Sequence, residues 1–171
     1  MRTYVISDIH GEYDKFMNMV RRIGFTERDN LYVLGDVIDR GEKGIEVLEY
    51  IMKHKNIFMT KGNHEYMMQT AFFENGHDID KESKSFRLWM RNGGKLTLES
   101  LLYKRTSNER KRIYEFIKDL PLFYDNIEVN GQVYYLVHGK PLTIGQKSYE
   151  ELVRSMKKEY GDTLPTYEEY L

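Results

Sequence analysis

The sequence predicts an α/β fold in a single domain over residues 1–171, a parallel sheet covered by helices. Three observations carry that prediction. Between Arg2 and Thr60, short apolar runs alternate with segments of helical period in β-α-β-α-β order. Each of those runs ends in a polar cluster containing glycine. Beyond Leu120 the period switches to two around an Asn130-Gly131 pair, which marks a hairpin.

The elements follow in order. Arg2 to Ser7 is short, β-branched and aromatic, so a strand is expected. From Glu12 to Ile23, Phe16, Met19, Val20 and Ile23 recur at helical spacing, and Gly24 ends that helix. Leu31 to Leu34 is wholly apolar, as a buried parallel strand requires. Gly44 to Lys53 is helical through Val47, Leu48, Ile51 and Met52, and Asn56 to Thr60 is a third strand. The stretch from about 65 to 120 reads as a helical insert broken at Asn75-Gly76 and at Asn92-Gly93-Gly94. Ile127 and Val129 then alternate toward the Asn-Gly turn, with Val133, Tyr135 and Val137 beyond it. Ser148 to Tyr160 is expected to form a last helix.

Bulk composition narrows the function classes. Hydrophobic residues make up 40% and charged residues 31%, the proportions of a water-soluble globular domain. A net charge of −1 supplies no field favouring nucleic acid or an anionic membrane, so neither is an expected partner. No apolar run approaches the roughly 18 residues that span a bilayer, and no signal peptide precedes the first strand. The absence of cysteine excludes disulfides and thiolate metal sites and fits a cytoplasmic protein. The nine Met and fourteen Tyr residues are spread along the chain and read as core and half-buried surface.

Four polar clusters carry the chemistry. Ser7-Asp8-Ile9-His10-Gly11 follows the first strand, Gly35-Asp36-Val37-Ile38-Asp39-Arg40-Gly41 the second and Lys61-Gly62-Asn63-His64-Glu65 the third. His138-Gly139 ends the hairpin. Ligands of open α/β sheets sit beyond the carboxyl ends of the strands, so all four clusters are candidates for one site. Carboxylate, imidazole and amide oxygen suit Mn²⁺, Fe or Zn²⁺. Asp36 is the natural bridge, because a carboxylate has two oxygens and can serve two ions. A lone His is usually a surface or satisfied core residue; four such clusters in this order are not. His54, in Lys-His-Lys, is expected to be solvated, and His77 lies in a polar loop from which it could approach the metals. The basic stretch Lys104 to Arg112 reads as a solvated helix start.

These four clusters resemble the motifs of the phosphoprotein phosphatases, in the bacterial and phage branch of the calcineurin-like metallophosphoesterases. Trp89-x-x-Asn92-Gly93-Gly94 and Leu120-Pro121-Leu122 add to the likeness. The resemblance implies an α/β/β/α sandwich, here with an incomplete C-terminal sheet. It implies two divalent metal ions, with Mn²⁺ expected: Asp8, His10 and Asp36 hold the first, and Asp36, Asn63 and His138 the second. It makes His64 the general acid, oriented by Asp39, and gives substrate phosphate to Arg40 and Asn63. Asp39 also has a reading as a helix N-cap, given the Gly-Glu-Lys-Gly-Ile that follows Arg40.

The reaction so implied is hydrolysis of a phosphomonoester on a phosphoprotein or small phosphoester, by direct attack of a metal-activated water on phosphorus. The same motifs serve dinucleoside polyphosphate hydrolases, so diadenosine tetraphosphate is an alternative substrate. Two departures matter. Lys61 stands where the family usually has Arg, which keeps the charge but loses the planar fork. The family's later Trp-x-Arg and Gly-His-Thr segments, which supply a phosphate-binding Arg and a last metal ligand, have no match in this sequence. That motivates a third reading, an impaired metal-binding interaction module, and an expectation of self-association through the incomplete sheet.

Overall fold

In a computed structural model, the chain is described over residues 1–73, 79 and 81–139. Strands β1 (Thr3–Ile6), β2 (Asn30–Leu34) and β3 (Ile57–Thr60) form one parallel sheet in the order β1-β2-β3. Helices α1 (Tyr13–Arg22) and α2 (Gly44–Lys53) make the two crossovers. The β-α-β-α-β reading therefore holds, with each boundary within a residue or so of the sequence pattern.

Register explains which side of the sheet packs on helices. Leu31 pairs with Tyr4 and Ile57, and Val33 with Ile6 and Met59, so these side chains share the helix-facing side. Leu31 and Val33 are fully buried there. Val5, Tyr32 and Phe58 point the other way. Over that second face comes an antiparallel hairpin, β4 (Phe123–Val129) and β5 (Gln132–Val137). The Tyr124 ring lies 5.4 Å from Tyr32 and 6.1 Å from Phe58, and its hydroxyl donates to the Met59 carbonyl at 3.2 Å. Val5, on the outermost strand, stays 51% exposed, as do Val133 at 67% and Tyr134 at 43% on the hairpin.

The hairpin turns where the sequence requires it. Asn130 and Gly131 both have positive φ (51° and 78°), the pattern of a type I′ turn. Among the described residues, four helices fill the insert: α3 (Asn63–Phe73), α4 (Lys84–Arg91), α5 (Lys95–Lys104) and α6 (Ser107–Asp119). Trp89, Leu101, Ile113 and Ile117 extend the core from them. No helix among the described residues is long and apolar enough to cross a membrane. His77, the Asn75-Gly76 break and the Ser148–Tyr160 helix lie outside the described residues.

Two expectations need correcting. His54 is not freely solvated: its Nδ1–H donates to the Tyr50 carbonyl at 2.7 Å and its ring stacks on Tyr50 at 4.1 Å, finishing α2. Nor is Lys104 to Arg112 one solvated helix start. The Arg105 guanidinium is 9% exposed and pairs with Glu46 and Glu49 of α2. A reciprocal capping box between Thr106 and Glu109 then begins α6, separating it from α5.

Candidate metal centre and its acid–base neighbours

All four clusters meet at one end of the sheet, because parallel strands deliver their carboxyl ends to the same side. Backbone bonds lace the loops together: His10 N–H donates to the Asp36 carbonyl at 2.9 Å and Gly11 N–H to that of Val37 at 2.8 Å. The packing leaves no room for a side chain at position 62. A Cβ on Gly62 would stand 2.3 Å from Asp36 Oδ1 and 2.8 Å from Glu65 Oε2. Asp8, His10, Asp36, Asp39 and Arg40 all take left-handed backbone angles, with φ between 44° and 68°.

Asp36 sits at the centre, 4% exposed. His138 Nε2 lies 3.4 Å from its Oδ1, and His10 Nε2 3.7 Å from its Oδ2. The amide of His64 also donates to Oδ1 at 3.1 Å. Each flanking imidazole is tied through its other nitrogen. His10 Nδ1 lies 3.0 Å from the Ile38 carbonyl, and His138 Nδ1 2.5 Å from that of Leu34. A carbonyl accepts only from N–H, so both rings carry a proton on Nδ1 and present Nε2 to the centre.

Asn63 opens α3 with its side chain against this cluster. With Oδ1 inward it lies 3.1 Å from His138 Nε2 and faces only acceptors. Turned the other way, its nitrogen would donate to both Asp36 oxygens, at 3.0 and 2.9 Å. Lone pairs of carboxylate, imidazole and amide thus converge on a small volume, an arrangement that repels itself unless positive charge sits among them. Protonation shows the same demand. Burial works against a charged His138, yet the Asp36 carboxylate outweighs it and raises the imidazole to about 9. Burial likewise works against the Asp36 charge, but the hydrogen bonds from His138 and the His64 amide hold it below the ordinary carboxylate value. The donor set fits divalent cations.

Among the described residues, the carboxylates and imidazoles close enough to share an ion are His10, Asp36 and His64, and Asp8, Asp36 and His138, each set within 4.8 Å. Asp36 belongs to both. Asp8 thus stands near His138, and His64 near His10, around the carboxylate that both sets share. Asp8 itself is exposed and accepts a hydrogen bond from the Ser7 hydroxyl.

Beside the centre runs an acid–base array. His64 is fully buried; its Nδ1 donates to Asp39 Oδ2 at 2.7 Å, and its Nε2 looks toward Asp36 Oδ2 at 4.0 Å. Arg40 Nη2 donates to that Nε2 at 3.1 Å, which marks Nε2 as the unprotonated nitrogen in this state. Asp39 is not a helix cap. Lys43 occupies the N-cap of α2, and the Asp39 carboxylate points instead at His64 and the insert. Lys61 is turned away from the site: its ammonium donates to Gln69 Oε1 at 2.8 Å and to the Lys118 carbonyl at 3.1 Å. There the side chain joins α3 to the end of α6, and burial lowers its pKa.

Sequence reasoning missed three residues that hold the site. Glu65 is fully buried, and its two oxygens accept four backbone N–H groups: Asp36 at 2.8 Å and Gly62 at 3.0 Å on Oε2, Val37 at 2.9 Å and Ile38 at 3.3 Å on Oε1. Burial first, then the Asp36 charge, raises its pKa. The signal available was an acid at i, i+3, i+7 spacing with Met68 and Phe72 on the buried stripe of α3. Trp89 donates its indole N–H to Asp39 Oδ2 at 2.8 Å. Thr97 Oγ1 accepts the Asp39 N–H at 3.0 Å. Nothing local marks Thr97.

Comparison with known proteins adds a family and relatives of two kinds. The calcineurin-like phosphoesterase family profile matches residues 1–166. The symmetrical bis(5'-nucleosyl)-tetraphosphatase of Wigglesworthia glossinidia brevipalpis is 45% identical over 67 residues, 38% of this chain and 25% of that protein. The serine/threonine-protein phosphatase PP1-delta of Caenorhabditis elegans is 36% identical over 90 residues, 50% of this chain and 30% of that protein. The matched segments thus span about a quarter to a third of the length of these curated relatives. A hypothetical protein of Pyrococcus horikoshii OT3 shares the fold with a TM-score of 0.50 and 18% identity, over 92% of this chain and 66% of that one.

Proposed function

Because the chain belongs to the calcineurin-like phosphoesterases, we propose that it hydrolyses a phosphomonoester, of the phosphoserine or phosphothreonine class, at the centre built around Asp36. The observation that supports this best is the convergence of His10, His138 and Asn63 on the two oxygens of one buried carboxylate. Asp8, His10, Asp36, Asn63 and His138 would hold two divalent cations, read as Mn²⁺ with Fe or Zn²⁺ as alternatives. When bound, such ions polarise the phosphoryl group and lower the pKa of a water nucleophile.

The chain's own groups do the rest. Arg40 is exposed and can swing from His64 onto the equatorial oxygens of a phosphate, where its charge counts most in the transition state. That movement frees His64 Nε2 to hold a proton aimed at the leaving oxygen, while Asp39 holds Nδ1–H and stabilises the imidazolium. Asn63 would contribute to phosphate binding from the start of α3. Self-association through the open strand edges belongs to the same reading, on the exposure of Val5, Val133 and Tyr134.

A second reading, hydrolysis of a dinucleoside tetraphosphate, is favoured by the identity to the symmetrical tetraphosphatases. Turnover of diadenosine tetraphosphate against a phosphothreonine peptide separates the two. Asp36→Asn tests the centre itself. It should abolish turnover and lower total metal content while circular dichroism stays unchanged. Retained metal with normal turnover would overturn the reading, and bound metal without any turnover in the unaltered chain would leave a binding module.

A further inference from the structure

Among the described residues, the helical insert hydrogen-bonds to the acid–base array at three points. Trp89 donates to Asp39 Oδ2, Thr97 accepts the Asp39 N–H, and the Gly93 carbonyl accepts the Arg40 N–H at 3.1 Å. Only the first touches a functional side-chain atom, and it touches the same oxygen that receives His64 Nδ1–H at 2.7 Å. The other carboxylate oxygen, Oδ1, is buried without a hydrogen-bond partner among the described residues. Asp39, His64 and Trp89 are all fully buried.

We propose that Trp89 is a positioning residue for proton transfer: its indole N–H selects which Asp39 oxygen faces His64 and shares that oxygen's negative charge. This rests on the proposed role of His64 as proton donor. The physical argument is one of choice between two oxygens. A buried carboxylate with a single donor can rotate and present either oxygen, and each rotation moves the imidazole it orients. A second, fixed donor on Oδ2 removes that freedom. Trp89 is itself fixed, because its ring packs edge-on against Phe72 at 5.9 Å and Phe86 at 6.4 Å. Gly94 lies so close that a Cβ there would stand 2.6 Å from the indole nitrogen, so the ring cannot slide along α4.

Trp89 is the only tryptophan in the chain, so biosynthetic replacement alters this position alone. β-(3-Benzothienyl)alanine keeps the shape and replaces the N–H by sulfur; Trp89→Phe is the second variant should incorporation impair folding. Turnover is measured with phenyl phosphate, a poor leaving group, and 4-nitrophenyl phosphate, a good one, alongside Mn²⁺ content. We expect kcat on phenyl phosphate to fall roughly 10–100-fold, the loss typical of outer-shell partners that orient a metal-binding imidazole. The nitrophenyl ester should lose far less, with KM and metal content unchanged. The proton NMR signal of His64 Nδ1–H should move to lower field, since an undivided Oδ2 is the stronger acceptor, and that readout needs no turnover. Equal losses on both esters, a fall in metal content, or an unmoved resonance would overturn the inference. His64→Asn is the control: leaving-group selectivity there but not in the Trp89 variants sinks the inference alone, whereas equal losses in His64→Asn sink the proton-donor role beneath it.

Discussion

Glu65→Gln removes one oxygen from a carboxylate that holds four backbone amides, and the structure lets the cost be worked out. If the new NH₂ replaces Oε2, the N–H groups of Asp36 and Gly62 face a donor; if it replaces Oε1, those of Val37 and Ile38 do. Either orientation strands two buried donors. Hydrogen bonds to a charged group are worth about 1.5–3 kcal/mol each, so two lost bonds cost about 3–6 kcal/mol. Against that, burial disfavours the Glu65 charge, and an amide relieves the interior of it. We expect a net loss of about 2–4 kcal/mol, a large part of the roughly 5–15 kcal/mol that holds a domain together. Urea unfolding of the metal-free protein measures it. Mn²⁺ titration by calorimetry then asks whether the loop still presents Asp36. A variant within about 0.5 kcal/mol of the original, with unchanged Mn²⁺ affinity, would refute the view that this carboxylate pins the loop.

Further expectations are shorter. Gly62→Ala should lose metal binding and fold stability together, because its Cβ would meet Asp36 Oδ1 at 2.3 Å with backbone behind it; metal content equal to the unaltered protein would contradict this. Arg40→Ala should raise KM and lower kcat, and Arg40→Lys should recover only part, since a point charge replaces a planar fork; full recovery by Lys would argue against bidentate phosphate binding. Asp29 is held below its ordinary value of 3.8 first by the Arg2 guanidinium and then by the Arg2 amide. A depressed carboxylate stabilises the fold above its unfolded value and loses that contribution as pH falls through the folded one. The stability gap between the unaltered protein and Asp29→Asn should therefore be constant near neutral pH and shrink below about 3.8, as read by thermal unfolding across an acid series; a gap independent of pH would refute the assignment.

What could be read from the chain depended on the range of the interaction. Strand β2 and helix α2 were legible because Leu31 to Leu34 and the Val47, Leu48, Ile51 spacing state their periods within a few residues. The hairpin was legible because only two positive φ values fit an Asn130-Gly131 link. Residues of the centre stood out because each follows a strand, and parallel strands deliver their ends together. Glu65 and Trp89 did not stand out, although both lie inside quoted motifs, since their partners are 28 and 50 residues distant. Arg105 misled for a similar reason. Its neighbours are basic and solvated, while the acids that pair with it, Glu46 and Glu49, lie on α2, the nearer one 56 residues away. The start of α6 was a different failure: Thr106 and Glu109 form a capping box readable at short range, overlooked inside a run of charge.

The left-handed backbone at Asp8, His10, Asp36, Asp39 and Arg40 sets stability and chemistry against each other. An L-residue with a side chain pays about 1–2 kcal/mol for that conformation, and glycine pays almost none. At an exposed position such as Asp8 or Arg40, where little packing is lost, replacement by glycine should make the metal-free fold harder to melt while removing the group that acts. A library of this chain sorted on heat resistance alone would therefore drift toward glycine at those positions and yield robust, inert proteins. Selection for robustness would have to be run with metal and substrate present, so that the strained conformations are held to account for what they do.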